Sequence, residues 1–198
     1  MLDPAPREAL KVREIRFIGL DFESAGERPD EAGVPIQIGM AAMEVLEPRV
    51  DTFYRSYLNP GRRVTWTARQ IHGIGDEDLE GAPSLLSLWP EIKNRLAGRW
   101  VVAHGAGTEK RFLRAFPLHG FGPWIDTLTL SRKVLPGRMS YALADLCREL
   151  SVESEASALL SGFRWHEALS DALASLLLLR RLIHLADIAD HPAEILIS

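Results

Sequence analysis

The sequence is poor in the features that mark exported, disulfide-stabilised or membrane-spanning proteins. One cysteine, Cys147, occurs in 198 residues, which excludes an internal disulfide and a zinc site built from several cysteines. The apolar runs all fall short of the roughly 18 residues that span a bilayer. The start, MLDPAPREALKV, lacks the basic and apolar regions of a signal peptide. We therefore expect a cytoplasmic protein without a membrane partner.

Positive charge is not in excess either. The 27 acidic residues outnumber the 23 lysines and arginines, which gives a formal net charge of −4. Nucleic-acid-binding domains are more often strongly basic, so the overall charge does not identify the chain as one of them. If the protein binds phosphate groups, local arginines or bound metal ions must supply the positive charge.

The sequence does contain enough apolar material for one folded domain. Hydrophobic residues make up 46% of the chain, which suffices for a sizeable core at this length. We expect an N-terminal tail over residues 1–13 and a single domain over residues 14–198. Cys147, in the helix-like segment ALADLCREL, is expected to be a small buried residue.

The apolar pattern changes along the chain from strand-like to helical. Three strand-like segments come first, EIRFIGLDFES, PIQIGMAAMEVL and VDTFYRSYLNPG, and their short connections predict an antiparallel meander. A helical region, TWTARQIHGI with APSLLSLWPEIKNRLAG, comes next and precedes the short strand RWVVAHG. The helix TEKRFLRAF then leads to a second short strand, WIDTL, and two helices follow it, SYALADLCREL and HEALSDALASLLLLRRLIHLADI. The predicted order is β-β-β-α-β-α-β-α-α, an α/β fold whose mixed sheet is covered by helices on both faces.

Two carboxylates stand at the end of the first predicted strand, in FIGLDFESAG. Asp21 and Glu23 are two residues apart, so their side chains point to the same face of the strand. A strand end of this kind is more often a solvated loop entry than a metal site. Two negative charges beside a core nevertheless favour a positive partner that the sequence itself does not supply.

Three further polar residues fall where predicted helices begin. Glu109 lies in the first turn of the helix after RWVVAHG, and His166 and Asp171 lie at the start of the last helix. In α/β sheets, functional residues gather where strands end and helices begin, so these segments can converge on one edge. Each residue also has a structural alternative, because acids in a first turn favour the helix dipole and a histidine before a helix often caps it.

Six segments, in this order, carry a family resemblance: LDFESAG, RQIHGIGDEDLEGAPSL, VVAHGAGTEKRFLRAF, WIDTLTLSRKVLPG, SYALADLCREL and HEALSDALASLLL. They resemble the DEDDh 3′–5′ exonucleases, the family of the DNA polymerase III epsilon proofreading subunit, RNase T and oligoribonuclease. The resemblance covers roughly residues 14–185 and is specific because three separated motifs and the connecting IHGI agree. It implies an RNase H-like exonuclease fold, with a five-stranded sheet of three antiparallel and then two parallel strands.

The resemblance also implies roles for the first and third motifs. Asp21 and Glu23 of the first motif would be metal ligands. In the third motif, His-x-x-x-x-Asp, His166 would be the general base and Asp171 a further acidic ligand. His166 and Asp171 are five residues apart, about 140° around an ideal helix, so His166 must lie outside the regular helix if both are to face one site.

The second motif departs from the family pattern. The family writes His-Asn, two residues, then an aromatic residue and Asp. Here Gly105 follows His104, Thr108 stands at the aromatic position and Glu109 stands at the Asp position. Because the carboxylate is retained with one more methylene, Glu109 is the remaining expected metal ligand.

The family further implies substrate contacts by the residue between the first-motif acids and by the IHGI segment, which correspond to Phe22, His72 and Ile74. Stacking on bases suits an enzyme that degrades any end, because every base has a π-face. For Phe22 and Ile74, a place in the hydrophobic core is an equal alternative.

The implied activity is metal-dependent hydrolysis of phosphodiester bonds from the 3′ end of DNA or RNA, with release of nucleoside 5′-monophosphates. Two Mg²⁺ or Mn²⁺ ions, single-stranded or 3′-ended nucleic acid, and a polymerase or homo-oligomer partner are the implied cofactors and partners. Two alternatives stay open at this point. One is a non-catalytic nucleic-acid-binding or polymerase-associated module of the same fold, and the other is an unrelated metal-dependent phosphatase.

Overall fold

The computed structural model describes residues 10–29 and 31–197, which contain a five-stranded mixed sheet in the order β3-β2-β1-β4-β5. The strands are β1 (Phe17–Ser24), β2 (Pro35–Glu44), β3 (Glu47–Tyr57), β4 (Trp100–Ala103) and β5 (Trp124–Asp126). The first three pair antiparallel, and β4 and β5 add in parallel beside β1. This topology confirms the predicted meander and the two parallel strands that follow it.

Seven α-helices accompany the sheet in the described residues. They are α1 (Trp66–His72), α2 (Trp89–Leu96), α3 (Gly107–Leu113), α4 (Thr127–Val134), α5 (Leu143–Glu149), α6 (Val152–Leu159) and α7 (Ala168–Leu185). The prediction omitted α4 and α6, and it continued one helix through residues where a 3-10 turn, Leu86–Leu88, precedes α2. Threonine and serine in the omitted helices have modest helix propensity, so tertiary packing determines these segments.

The two faces of the sheet carry separate cores. Phe17 of β1 packs with the leucines of α7 and with α5 and α6, whereas Leu20 and Phe22 pack on the other face with α2 and α3. Cys147 lies fully buried in the α7 core, as predicted. Helices therefore cover both faces, and every second residue of β1 faces α7.

Two glycines allow α7 to lie unusually close to the sheet. A Cβ atom on Gly19 would overlap the main-chain oxygen of Ala172, and one on Gly39 would overlap the main chain of Ala168 and Leu169. Gly39 is the register partner of Asp21 on β1. The start of α7 is thereby pressed against the part of the sheet where the first acidic motif lies.

The chain before β1 also contacts the domain. Val12 is fully buried, and its N–H donates to the carbonyl of His191 at 3.0 Å. The greater part of the predicted tail, residues 1–9, lies outside the described residues, so its extent stays a prediction. None of the helices in the described ranges combines the length and the apolarity that a bilayer-spanning segment needs.

Candidate active site

Strand β1 and helix α7 supply most of the site. Asp21 and Glu23 alternate with buried Phe22, so both carboxylates face α7 while the ring faces the opposite core. Asp171 lies in the first turn of α7, as predicted. His166 precedes this helix in a left-handed conformation with φ of 60°, outside the regular helix as its expected role requires.

Three of the predicted residues come into direct proximity. Among the described residues, one ligand atom from each of Glu23, His166 and Asp171 lies within 4.8 Å of the others, and such a group could hold a metal ion. His166 is exposed, whereas Glu23 and Asp171 are partly buried. Glu23 lies 143 positions before His166 in the sequence. The first and third motifs thus meet at one end of the sheet, as predicted.

Like charges close to one another dominate the electrostatics of the site. Burial raises the pKa of the Asp21 carboxyl well above its ordinary value, and four other carboxylates raise this pKa further, those of Asp171, Glu109, Glu23 and Glu167. This coupling includes Glu109, which lies on a different helix. The four predicted acidic ligands and Glu167 therefore share one electrostatic environment.

The carboxylates of the other three predicted ligands respond in the same direction. Burial, together with the charge of Glu167, raises the pKa of Glu23 to about 7, and the cation of Arg164 opposes the shift. Burial and the charge of Glu23 raise the pKa of Asp171 to about 7. Burial raises the pKa of Glu109 to about 7 as well. All these shifts disfavour the charged forms when no cation is bound.

The donor atoms fit a hard divalent cation. Glu109 Oε2 and Asp171 Oδ1 are buried and have no hydrogen-bond partner among the described residues. A buried carboxylate oxygen without a donor is costly, and a cation that prefers oxygen ligands would satisfy it. Asp21, Glu23, Glu109 and Asp171 are the residues that could hold such an ion.

Glu109 lies in the first turn of α3, as predicted, and only 5% of its surface is exposed. His104 of the same motif is half-buried and is engaged in the fold: its Nε2 lies 2.8 Å from the carbonyl of Tyr141, and its Nδ1 lies 3.0 Å from Thr127 Oγ1. Gly105 has φ of 77°, a conformation that favours glycine over the asparagine of the family pattern. Glycine at the position of the family's asparagine therefore fits the local backbone conformation.

The three predicted substrate contacts lie in the interior. Phe22 is 6% exposed and meets the ring of Phe112 edge-on at 5.4 Å, and Ile74 is 1% exposed. His72 accepts a hydrogen bond from the N–H of Ile74 at Nδ1 (3.0 Å), and its Nε2 donates to the carbonyl of Ser24 (3.1 Å). These positions favour the core alternative for Phe22 and Ile74, and the substrate contacts stay a prediction.

An open groove begins beside Glu23. It has a volume of about 530 Å³ and runs between the end of β1, helix α1 and the start of α3. Ile71, Thr108 and Arg111 line it together with the edge of His72. Thr108, the residue at the family's aromatic position, therefore forms part of a wall of the groove next to the acidic site.

Glu167, the residue after His166, contributes to the site but was not predicted from the sequence. The side chain of Glu167 caps α7 by accepting from the N–H and the hydroxyl of Ser170, both at 2.9 Å. It also pairs with Arg55 on β3 at 3.1 Å. Glutamate is not among the residues preferred at a helix N-cap, and its arginine partner lies 112 positions away, so neither contact could be read from the local sequence.

Sequence reasoning also missed Arg164. Its guanidinium lies 3.9 Å from the position that a Cβ of Gly73 would occupy, and its charge acts on both Glu23 and His72. The loop before α7 therefore places a cation at the rim of the acidic site, near the C-terminal end of α1.

Comparisons with known proteins agree with this geometry. A family model described as exonuclease, RNase T, matches residues 18–179. The PolC-type DNA polymerase III of Thermotoga petrophila is 33% identical over 161 residues, which cover 79% of this chain and 11% of that protein. The DNA polymerase III subunit epsilon of Rickettsia typhi is 29% identical over 167 residues, which cover 80% of this chain and 69% of the subunit.

A solved structure of exonuclease X in complex with 5′-overhanging duplex DNA aligns with a TM-score of 0.73 at 21% identity, covering 93% of this chain and 99% of that one. This likeness confirms the RNase H-like exonuclease fold. The chain spans only about 11% of the length of the PolC-type relatives, so the similarity to them concerns one domain of a much longer protein.

Proposed function

Because the chain belongs to the RNase T exonuclease family, whose members are nuclease hydrolases, we propose that it is a metal-dependent 3′–5′ exonuclease. It would hydrolyse the phosphodiester bond nearest the 3′ end of a nucleic acid and release nucleoside 5′-monophosphates. The observation that carries the proposal is the convergence of Glu23, His166 and Asp171 within 4.8 Å, beside the buried carboxylates of Asp21 and Glu109.

The proposed cofactors are two Mg²⁺ or Mn²⁺ ions held by Asp21, Glu23, Glu109 and Asp171. When bound, they supply the positive charge that stabilises the charge developing on the phosphate and the leaving oxygen. The carboxylates' own contribution is to remain ionised and fixed. The unpartnered oxygens of Glu109 and Asp171 and the raised pKa values of these groups support a cation at this place.

His166 is the proposed general base. Its imidazole is exposed and stands within 4.8 Å of two carboxylates, so it can take a proton from an attacking water next to the bound phosphate. The main-chain N–H of His166 also hydrogen-bonds to the Asp171 carboxylate, which lowers the pKa of Asp171. The base and an acidic ligand are therefore held in a fixed relation.

The groove beside Glu23 is the proposed path of the nucleic acid strand. Arg111 in its wall and Arg164 at the rim supply cations that the overall charge of −4 does not. Ile71 is 55% exposed along the groove and offers an apolar surface to a base. We propose DNA as the first substrate class to test, since the named relatives are DNA polymerase III proteins.

The alternative is a nucleic-acid-binding, polymerase-associated module that lacks activity because Glu109 and Gly105 depart from the family pattern. The placement of Glu109 in the shared electrostatic environment of the other acids argues against this alternative. Because one relative is named as a subunit of DNA polymerase III, binding to a polymerase is also worth testing. A polymerase partner would be compatible with the exonuclease and with the non-catalytic module.

One experiment distinguishes these functions. Single-stranded DNA, duplex DNA and RNA, each labelled at the 5′ end, are incubated with the protein in Mg²⁺, Mn²⁺ or EDTA. A ladder that shortens from the 3′ end with metal, and disappears with EDTA, is the expected result. Binding of the strands without shortening in any metal would instead support the non-catalytic module.

A further inference from the structure

Helix α3, which carries Glu109, lacks a capping side chain of its own. Its N-cap residue is Ala106, whose methyl group accepts no hydrogen bond, and the residue before it is Gly105. The first N–H groups of a helix need acceptors from elsewhere, since they have none within the helix. The start of α3 therefore depends on another part of the fold.

Asp126, at the end of β5, provides acceptors for the N-cap residue Ala106 and for Gly105 before it. Its Oδ1 accepts from the N–H of Gly105 at 2.9 Å, and its Oδ2 accepts from the N–H of Ala106 at 3.2 Å. The same carboxylate caps its own helix, α4, by accepting from the N–H of Leu128 at 2.9 Å. Asp126 is the parallel register partner of Ala103, where β4 ends, so one side chain fastens the starts of two helices at this edge.

The carboxylate of Glu109 is held by its own helix turn, because the main-chain N–H that hydrogen-bonds to it is that of Glu109 itself. Its Oε2 has no hydrogen-bond partner among the described residues, so the main chain of the first turn of α3 determines where the carboxylate lies. The Asp126 charge also repels Glu109 and contributes to its raised pKa, so Asp126 is not placed to stabilise the ionised Glu109. Both oxygens of Asp126 are already occupied by N–H donors, which argues against a role as a metal ligand.

We propose that Asp126 is a positioning residue that holds Glu109 at the acidic site through hydrogen bonds to the main chain at Gly105 and Ala106. The proposal rests on the metal-binding function proposed above. It also gives the departure at Gly105 a role, because the left-handed backbone there directs an N–H to the Asp126 carboxylate.

Two variants separate the two tasks of Asp126. Asp126→Ser keeps a hydroxyl that can cap α4, but its single oxygen cannot also reach Gly105 and Ala106. Asp126→Asn keeps the Oδ1 acceptor and loses the acceptor for Ala106. Asp76→Ser is the matched control, because Asp76 likewise accepts from a main-chain N–H, that of Val64 at 2.8 Å, away from the acidic site.

The first measurement is hydrogen exchange in the metal-free protein. Peptides that contain Gly105 and Ala106 should exchange faster in Asp126→Ser than in the parent and in Asp76→Ser, while α4 keeps its protection. Unchanged exchange at Gly105 and Ala106 in Asp126→Ser would overturn the proposal without reference to metal or activity.

The second measurement is Mn²⁺ binding by calorimetry. Asp126→Ser should bind Mn²⁺ about 10-fold or more weakly, in the range found when supporting residues of metal sites are removed, and Asp126→Asn should lose less. Adding Asp126→Ser to Glu109→Gln should cause no further loss, because the aspartate acts through the glutamate. Parent-like binding by Asp126→Ser, or equal losses in the Ser and Asn variants, overturns the positioning role. Absence of Mn²⁺ binding by the parent would instead overturn the proposed metal site, and this role with it.

Discussion

Arg55 Nη1 on β3 lies 3.1 Å from the carboxylate of Glu167, the residue between His166 and the first turn of α7. The glutamate side chain is 3% exposed, whereas that of Arg55 is 54% exposed. The charge of Glu167 also raises the pKa of Glu23, so the arginine pairs with a carboxylate that acts on the acidic site. The pair thus links the outer part of the sheet to the loop that carries the proposed base.

We expect Arg55→Met to destabilise the parent protein more than it destabilises the Glu167→Gln variant. In the parent, loss of Arg55 leaves the buried Glu167 carboxylate without its partner cation, whereas glutamine carries no charge. The coupling in a double-mutant cycle of urea unfolding should be on the order of 1 kcal/mol. Additive losses in the cycle would show that the ion pair contributes nothing.

Asp171→Asn should abolish most nuclease activity, with a fall in kcat on the order of 10²-fold or more, because a neutral amide is a poor ligand for a hard divalent cation. The same change should raise the Tm of the metal-free protein at neutral pH, since it removes one of several repelling carboxylates. Asp187→Asn, just beyond the C-terminal end of the same helix, is the control for activity and should leave kcat unchanged. Parent-like turnover by Asp171→Asn would contradict the assignment of Asp171 as a ligand.

His166→Ala should lower kcat by about 10²- to 10⁴-fold at saturating Mg²⁺ while Mn²⁺ affinity stays near that of the parent, because the imidazole transfers a proton. The acidic limb of the kcat profile, measured at saturating metal, should flatten in the variant. His184→Ala, on the exposed side of α7, serves as the control. A variant that keeps the acidic limb unchanged would remove His166 from the proton transfer.

Glu109→Gln should be much worse in kcat than Glu109→Asp, because charge matters more than length for a metal ligand. Some loss is also expected for the aspartate, since catalytic geometry tolerates only about 0.5 Å of misplacement and the surroundings fit the longer side chain. If Glu109 served only its helix N-terminus, both variants would turn over like the parent, with at most about 1 kcal/mol of stability change. Measuring kcat and its Mg²⁺ dependence for both variants distinguishes the two roles.

The metal-free protein should lose stability as pH rises. The folded-state pKa values of Glu23 and Glu109 are raised from an ordinary 4.5 to about 7, so the folded protein holds these protons while the unfolded chain has released them. This contribution is complete below about pH 4.5 and is lost as pH rises through about 7. Thermal unfolding in EDTA should show Tm falling over this window, by about 2–4 °C for each kcal/mol lost.

Mg²⁺ should reverse the fall most strongly at the upper end of the window, because cations bind the ionised carboxylates. Glu109→Gln should show a shallower dependence on pH in EDTA, since one of the groups no longer titrates. A Tm that rises through the window in both proteins would contradict the raised pKa values.

The sequence was sufficient to predict the strands, the long last helix and the acidic residues that meet at its start. Alternation in FIGLDFES placed Asp21 and Glu23 on one face, and the position of Asp171 in an apolar helical run placed it in an early turn. These predictions depended on local periodicity and on the family resemblance, both of which are visible in a single chain.

The contacts that hold the site could not be predicted in the same way. Asp126 before TLTLSRKV was a visible cap signal for α4, but its reach to Gly105 joins residues 21 positions apart. The pairing of Arg55 with Glu167 depends on how β3 and α7 pack, which no local pattern encodes. The roles of Phe22 and Ile74 could not be predicted for a different reason. An apolar side chain beside a site fits a core position and a substrate contact equally well until its burial is known.

The close packing of α7 on Gly19 and Gly39 bears on whether this chemistry could be transplanted into another protein. Grafting the four carboxylates and the histidine onto a different α/β scaffold would leave the helix held away from the sheet by ordinary side chains where this protein has glycine. Asp171 would then stand too far from Asp21 and Glu23 to share a cation with them. An engineer would therefore have to transfer two residues without side chains along with the five that carry the chemistry.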